Sequence, residues 1–177
     1  MPATQTAPGY IDLQINGYRG VDFNQDDVSA DQLHDTCRSL EADGVAGILA
    51  TVITDHVDRM CTRLSNLVKL READEVAKRV IVGLHIEGPF INETPGYRGA
   101  HPEDAIHRTN LDEMKRLLDA AGGLTRIVTL APERDPGHEV TRWLADRGVV
   151  VSAGHCDPSL DELRAAIDAG LSMFTHL

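Results

Sequence analysis

Several polar side chains stand where an apolar run ends, and their types are those that hold metal ions or move protons. Glu87 closes the run Val82-Gly83-Leu84-His85-Ile86 just before Gly88-Pro89. His155 follows Val149 to Gly154, and His176 follows Leu171 to Thr175. Gln14 and Asn16 end the alternating stretch Tyr10-Ile11-Asp12-Leu13-Gln14-Ile15-Asn16. His85 would share a face with Glu87 in an extended segment, but one layer deeper, which suits a core or supporting residue better than a ligand. One carboxylate and two imidazoles form a three-ligand set for a divalent ion, most naturally Zn2+, with a position left open. Such an ion lowers the pKa of bound water toward ~7 and polarises a carbonyl. Taken singly, the same residues read as a polar strand tip, a loop histidine and a chain-end residue. What distinguishes the two readings is whether their elements deliver them to one place.

Those elements alternate. Strands are expected at Tyr10–Asn16, Val45–Val52, Arg79–Ile86, Thr125–Leu130, Val149–Ala153 and Leu171–Thr175, from apolar alternation or short apolar runs bounded by turn residues. Helices are expected over Ala30–Asp43, Asp55–Ala73, Leu111–Ala121, residues 136–147 and Pro158–Ala169, each with a helical apolar stripe. Residues 87–108 form a long loop containing Gly99-Ala100-His101, and long loops in compact domains are commonly functional. The order βαβαβαβαβαβ implies parallel strands with right-handed crossovers. It admits an open doubly wound sheet or a (β/α)8 barrel. The first βα loop has no Gly-rich phosphate pattern, which weighs against a nucleotide fold. In a barrel the ends of all strands open on one face, where Gln14, Asn16, Glu87, His155 and His176 would meet.

The formal charge of the 177 residues is −11, which argues against nucleic acid or an anionic membrane as partner. No apolar run approaches the ~20 residues of a membrane span. Cys37, Cys61 and Cys156 have no C-x-x-C spacing, and their odd count fits a reducing, cytoplasmic setting rather than a disulfide framework. His34, His56, His107 and His138 fall on helices or loop edges and read as solvated. Residues 1–8 read as a disordered tail, and 9–177 as the barrel domain.

Five stretches resemble, in order, motifs of the N-acetylglucosamine-6-phosphate deacetylase family of the amidohydrolase superfamily. They are Pro8 to Gly17, Gly83 to Ile91 with Gly99-Ala100-His101, Leu130-Ala131-Pro132-Glu133, Ala153-Gly154-His155 and Phe174-Thr175-His176-Leu177. The resemblance implies a (β/α)8 metal-dependent hydrolase barrel of which about six strands are present. It implies metal ligands at Glu87, His155 and His176, and substrate contacts at Ala100, through its backbone, and His101. Many amidohydrolases carry His-x-His on strand one as ligands of another metal. Gln14 and Asn16 stand at those positions here, so a single-metal site is implied. The implied reaction is hydrolysis of an N-acetyl amide of a small amino-sugar phosphate to acetate and the free amine.

By that resemblance the general acid/base aspartate, the last two strands and the phosphate-binding residues are expected beyond residue 177. The chain is accordingly expected to be a truncated barrel, poorly active alone. Two other readings stand beside this one. The chain could be a non-catalytic half-barrel that needs a partner, a homodimer being one assembly it admits. It could also be an amidohydrolase for another N-acyl or cyclic amide, with Tyr18-Arg19 and Tyr97-Arg98 shaping the pocket.

Overall fold

The computed structural model describes residues 9–176, so the tail expected at residues 1–8 lies outside the described residues. Strand β1 (Tyr10–Ile15) leads into a hairpin of two-residue strands, β2 (Gly17–Tyr18) and β3 (Val21–Asp22). Helix α1 (Ala30–Ala42), strand β4 (Val45–Ile53) and helix α2 (Val57–Ala73) follow. Next come α3 (Glu75–Val80), β5 (Ile81–Glu87), α4 (Leu111–Ala120) and β6 (Thr125–Leu130). The order closes with α5 (Glu139–Ala145), β7 (Val150–Ala153), α6 (Leu160–Asp168) and β8 (Leu171–Phe174).

The strands β1, β4, β5, β6, β7 and β8 form one sheet in sequence order, with every neighbouring pair parallel. That order, one helix-bearing crossover at a time, is a piece of a (β/α)8 barrel rather than a doubly wound sheet, whose strand order reverses at a switch point. Its curl follows from one distance. Flat strands lie about 4.8 Å apart, so β8 would sit roughly 14 Å from β5. Yet His176, just after β8, comes within 3.1 Å of Glu87 at the end of β5.

The main core lies between the sheet and its helices, where Leu84, Ile86 and Val128 meet Leu64, Leu117 and Leu144. The other sheet face is more polar near its upper end. His85 Nε2, Thr129 Oγ1, Thr175 Oγ1 and Ser152 Oγ follow one another at 2.7, 2.9 and 2.7 Å. These four groups tie β5, β6, β7 and the end of β8 together just below the strand tips. The two edges are less covered. Tyr10, Ile11 and Leu13 on β1 and Phe174 on β8 are exposed.

Beyond shifts of a residue or two at element ends, two boundaries and one hairpin depart from the sequence expectation. Residues 79–80, expected in the third strand, close α3 instead, because the Asp74 carboxylate accepts from Ala77 N and starts a new helix. The helix expected from 136 begins at Glu139, after a turn in which Gly137 and His138 both have positive φ. The β2–β3 hairpin was not foreseen, since two-residue strands carry no periodicity to read. His34 and His138 are half-buried rather than solvated, and His34 Nδ1 sits 2.7 Å from Asp74 Oδ2. Among the described residues, no helix is long and apolar enough to cross a membrane.

Candidate metal centre

Glu87 is the last residue of β5, and only 2 % of it is exposed. The backbone breaks away immediately at Gly88, whose φ of +81° suits glycine. An added Cβ there would meet Thr54 Oγ1 at 2.0 Å. Thr54 Oγ1 also donates to the Glu87 carbonyl at 3.1 Å, which fixes the strand tip. The Gln14 amide at the end of β1 donates to Glu87 Oε2 at 2.9 Å. That leaves Oε1 facing two imidazoles, with His155 Nε2 and His176 Nε2 each 3.1 Å away. Both histidines follow a strand end and both adopt left-handed backbone, with φ of 50° and 60°. That region is uncommon for residues other than glycine and recurs at functional sites.

His155 is oriented from its far side. Its Nδ1 donates to the Tyr97 carbonyl at 2.8 Å, and since a carbonyl only accepts, the proton must sit on Nδ1. In a neutral ring Nε2 then offers a lone pair to an ionised carboxylate oxygen. Two lone pairs at 3.1 Å require a cation between them, whether a proton or a metal ion. This pairing is the arrangement in which a second hydrogen bond fixes the tautomer of a ligand histidine.

The charges agree with a cation-seeking site. Burial opposes ionisation of Glu87, yet the hydrogen bond from His155 and, at the acidic pH where the carboxyl titrates, the protonated rings of His101, His85 and His155 bring its pKa down to about 2. The hydrogen bond to Glu87 raises His155 above its ordinary value, against the effect of burial. Burial, with the charge of His155, takes His101 down to about 4, and burial takes His85 to about 4. Those two rings are therefore neutral near pH 7.

Glu87, His155 and His176 each bring a ligand atom within 4.8 Å of the others. Ligands 2.0–2.1 Å from a tetrahedral ion lie roughly 3.3 Å apart, close to the 3.1 Å that separates Glu87 Oε1 from each imidazole. The donor set of one carboxylate and two imidazoles therefore fits a single divalent ion.

Around it, Gln14, Asn16, Ile53, Ala100 and His101 complete the lining of a cavity of about 180 Å³. His101 Nε2 is 3.2 Å from His155 Nε2, while its Nδ1 is buried without a partner among the described residues. Asn16 is exposed and lines the same cavity without a hydrogen bond to Glu87, unlike Gln14. His85 makes no bond to Glu87 and instead begins the hydroxyl chain through Thr129. An adjoining cavity of about 400 Å³ runs past His155 and His176 between Tyr97 and Phe174. Of the loop pairs considered for the pocket, Tyr18 and Arg19 engage Asp43, and Arg98 pairs with Glu103 at 3.1 Å. The sequence marks Tyr97 only as a residue shaping the pocket, not as the carbonyl that orients His155, because a main-chain acceptor leaves no mark in residue type.

No protein-family model matches the chain. Curated relatives named N-acetylglucosamine-6-phosphate deacetylase do match. The one from Bacillus subtilis is 36 % identical over 172 residues, which is 96 % of this chain and 42 % of that protein. The human one is 40 % identical over 178 residues, covering 97 % of this chain and 42 % of that protein. Among solved structures, the Mycobacterium smegmatis deacetylase, as a mutant in complex with N-acetyl-D-glucosamine-6-phosphate, superposes with a TM-score of 0.85 at 32 % identity. That match covers 96 % of this chain and 42 % of the other. The Pasteurella multocida deacetylase gives a TM-score of 0.78 at 30 % identity, over 96 % and 43 % of the two chains. The chain thus spans less than half the length of the relatives it matches, and over that span its fold is that of part of their barrel.

Proposed function

We propose that this chain carries the metal-holding part of a deacetylase that hydrolyses N-acetylglucosamine 6-phosphate to glucosamine 6-phosphate and acetate. The observation that supports the reading best is the convergence of Glu87, His155 and His176 within 4.8 Å, in a chain whose relatives bear that name. Glu87, His155 and His176 would hold one Zn2+, which when bound supplies a Lewis acid for the amide carbonyl and acidifies water. The chain's own residues do the rest of the positioning. Gln14 occupies Glu87 Oε2 and so directs Oε1 toward the two imidazoles. The Tyr97 carbonyl keeps the proton on His155 Nδ1 and leaves Nε2 for the ion. Neutral His101, beside the Ala100 backbone, can offer an N–H to a substrate oxygen without adding charge. The adjoining cavity past Tyr97 provides room for a sugar ring. The compartment proposed for this reaction is the cytoplasm.

The test is zinc binding by competition with a chromophoric chelator, alongside primary-amine release from N-acetylglucosamine 6-phosphate. The wild-type chain is expected to take up one ion, and Glu87→Gln, His155→Asn and His176→Asn are each expected to weaken it. Wild-type affinity in all three variants would remove the site. A second reading, a half-barrel that needs a partner, draws on the exposed Tyr10, Ile11 and Leu13 at one sheet edge and Phe174 at the other. Light scattering discriminates, since a stable monomer at micromolar concentration excludes obligate association, including a homodimer.

A further inference from the structure

Glu133 belongs to the Leu130-Ala131-Pro132-Glu133 motif and has no part in the chemistry above. It stands in the turn after β6, between the long loop of residues 87–108 and the turn that carries His155. Its Oε1 accepts two hydrogen bonds, one from Asn92 Nδ2 at 2.9 Å and one from Asp157 N at 2.7 Å. The two donors come from the two segments that must meet. Asn92, in the long loop, also donates its own N–H to the His155 carbonyl at 2.9 Å and accepts from Thr94 N through its side chain. Three residues beyond Thr94, the Tyr97 carbonyl accepts from His155 Nδ1. Glu133 is therefore the side-chain acceptor that, beside these two main-chain bonds, joins the loop bearing Tyr97 to the turn bearing His155. The second carboxylate oxygen is buried with no partner among the described residues, and the neighbouring Arg134 is turned to Glu93 instead. Leaving a carboxylate oxygen so placed is costly, which marks the pair of bonds on Oε1 as what holds the residue there.

We infer that Glu133 is a positioning residue for His155, acting through Asn92 and Asp157 to dock the long loop so that the Tyr97 carbonyl sets the ring. The inference rests on the proposed metal site for its consequence, but the docking itself is present without any ion. Since one neutral acceptor atom suffices, Glu133→Gln can keep both bonds, whereas Glu133→Ala loses both. Removing support of this kind around a ligand commonly weakens metal binding ~10–100-fold.

The experiment combines hydrogen exchange of the metal-free chain with zinc competition, on wild type, Glu133→Ala and Glu133→Gln. Glu133→Ala is expected to lose amide protection at residues 92–101 and 155–157 while β5 and β6 keep theirs, and to bind zinc ~10–100-fold more weakly. Glu133→Gln is expected to restore both within about threefold, a rescue that a general loss of stability would not produce. Should Glu133→Ala fail to fold, Asn92→Ala removes one arm of the bridge and must show the same localised loss. Unchanged protection in Glu133→Ala, or a Gln variant as impaired as Ala, overturns the inference. A wild-type chain that binds no zinc overturns the proposed metal site instead, and the exchange pattern still decides Glu133.

Discussion

Gly154 is the position where the site can be disturbed with the least chemistry, by adding one methyl group. A Cβ built there would lie 2.6 Å from Thr129 Cγ2 and 2.9 Å from Thr175 Cβ. Carbon atoms pack at about 3.5–4.0 Å, so β6 and the end of β8 would have to part by roughly 1 Å. A shift of that size takes the Thr129–Thr175 hydroxyl pair from 2.9 Å past hydrogen-bond range. Overpacking costs about 1–3 kcal/mol and a lost internal hydrogen bond about 0.5–1.5 kcal/mol, so Gly154→Ala should destabilise by roughly 2–4 kcal/mol. Because Gly154 precedes His155 and Thr175 precedes His176, zinc affinity should fall as well, by ~10–100-fold. Urea unfolding followed by circular dichroism reads the first effect, as a lower midpoint at unchanged slope. Chelator competition reads the second. Thr129→Ser in the same chain deletes the nearest methyl group and keeps the hydroxyl, so the double variant should recover part of the loss. A single variant within about 0.5 kcal/mol of wild type, the size of an ordinary surface change, would refute the packing argument. So would a double variant that recovers nothing.

Other outcomes follow from the same geometry. The folded-state pKa of His85 is depressed to about 4 from 6.5, so the unfolded chain binds the extra proton first as pH falls. Its contribution to stability is thus intact above pH 6.5 and is lost as pH drops through about 4, amounting to about 3 kcal/mol. His85→Leu should flatten the urea-derived stability profile over that window, and parallel profiles would exclude the assignment. The Asn110 side chain caps α4 by accepting from the N–H groups of Asp112 and Glu113, so Asn110→Ala should cost about 1 kcal/mol in urea unfolding. Zinc at 100 times its dissociation constant should add about 2.7 kcal/mol to stability, and a chelator should remove it. An unfolding midpoint indifferent to zinc would count against the site.

The strand order and the convergence of Glu87, His155 and His176 were legible because they rest on local signals. Apolar runs ending in Glu87, Gly154-His155 and Thr175-His176 placed the strand tips, and parallel order then implied one face. What escaped the sequence was carried by contacts between distant residues. The sequence marks Gln14 as a neighbour of the site, but its donation to one oxygen of Glu87, 73 positions away, depends on the curl of the sheet. The hydroxyl chain from His85 through Thr129 and Thr175 to Ser152 is spread over four strands, and threonine or serine in a strand is unremarkable in sequence. Glu133 was visible as part of a motif, yet its two donors lie 41 and 24 positions away. The α3 boundary failed for the opposite reason. Val80 and Ile81 continue an apolar run, and only the cap at Asp74 assigns them to different elements.

The left-handed backbone at His155 and His176 bears on how these two positions can be interrogated. Any side chain placed there inherits a conformation costing about 1–2 kcal/mol for most residues, so alanine or glutamine scanning mixes ligation with backbone strain. Asparagine tolerates positive φ at least as readily as histidine and is a weak ligand for zinc. His155→Asn and His176→Asn are therefore the isoconformational probes, removing the donor and sparing the turn. The same reasoning sets a design rule for changing metal preference. A carboxylate or thiolate recruited at either turn should come with asparagine-like backbone tolerance, which favours aspartate over glutamate or cysteine.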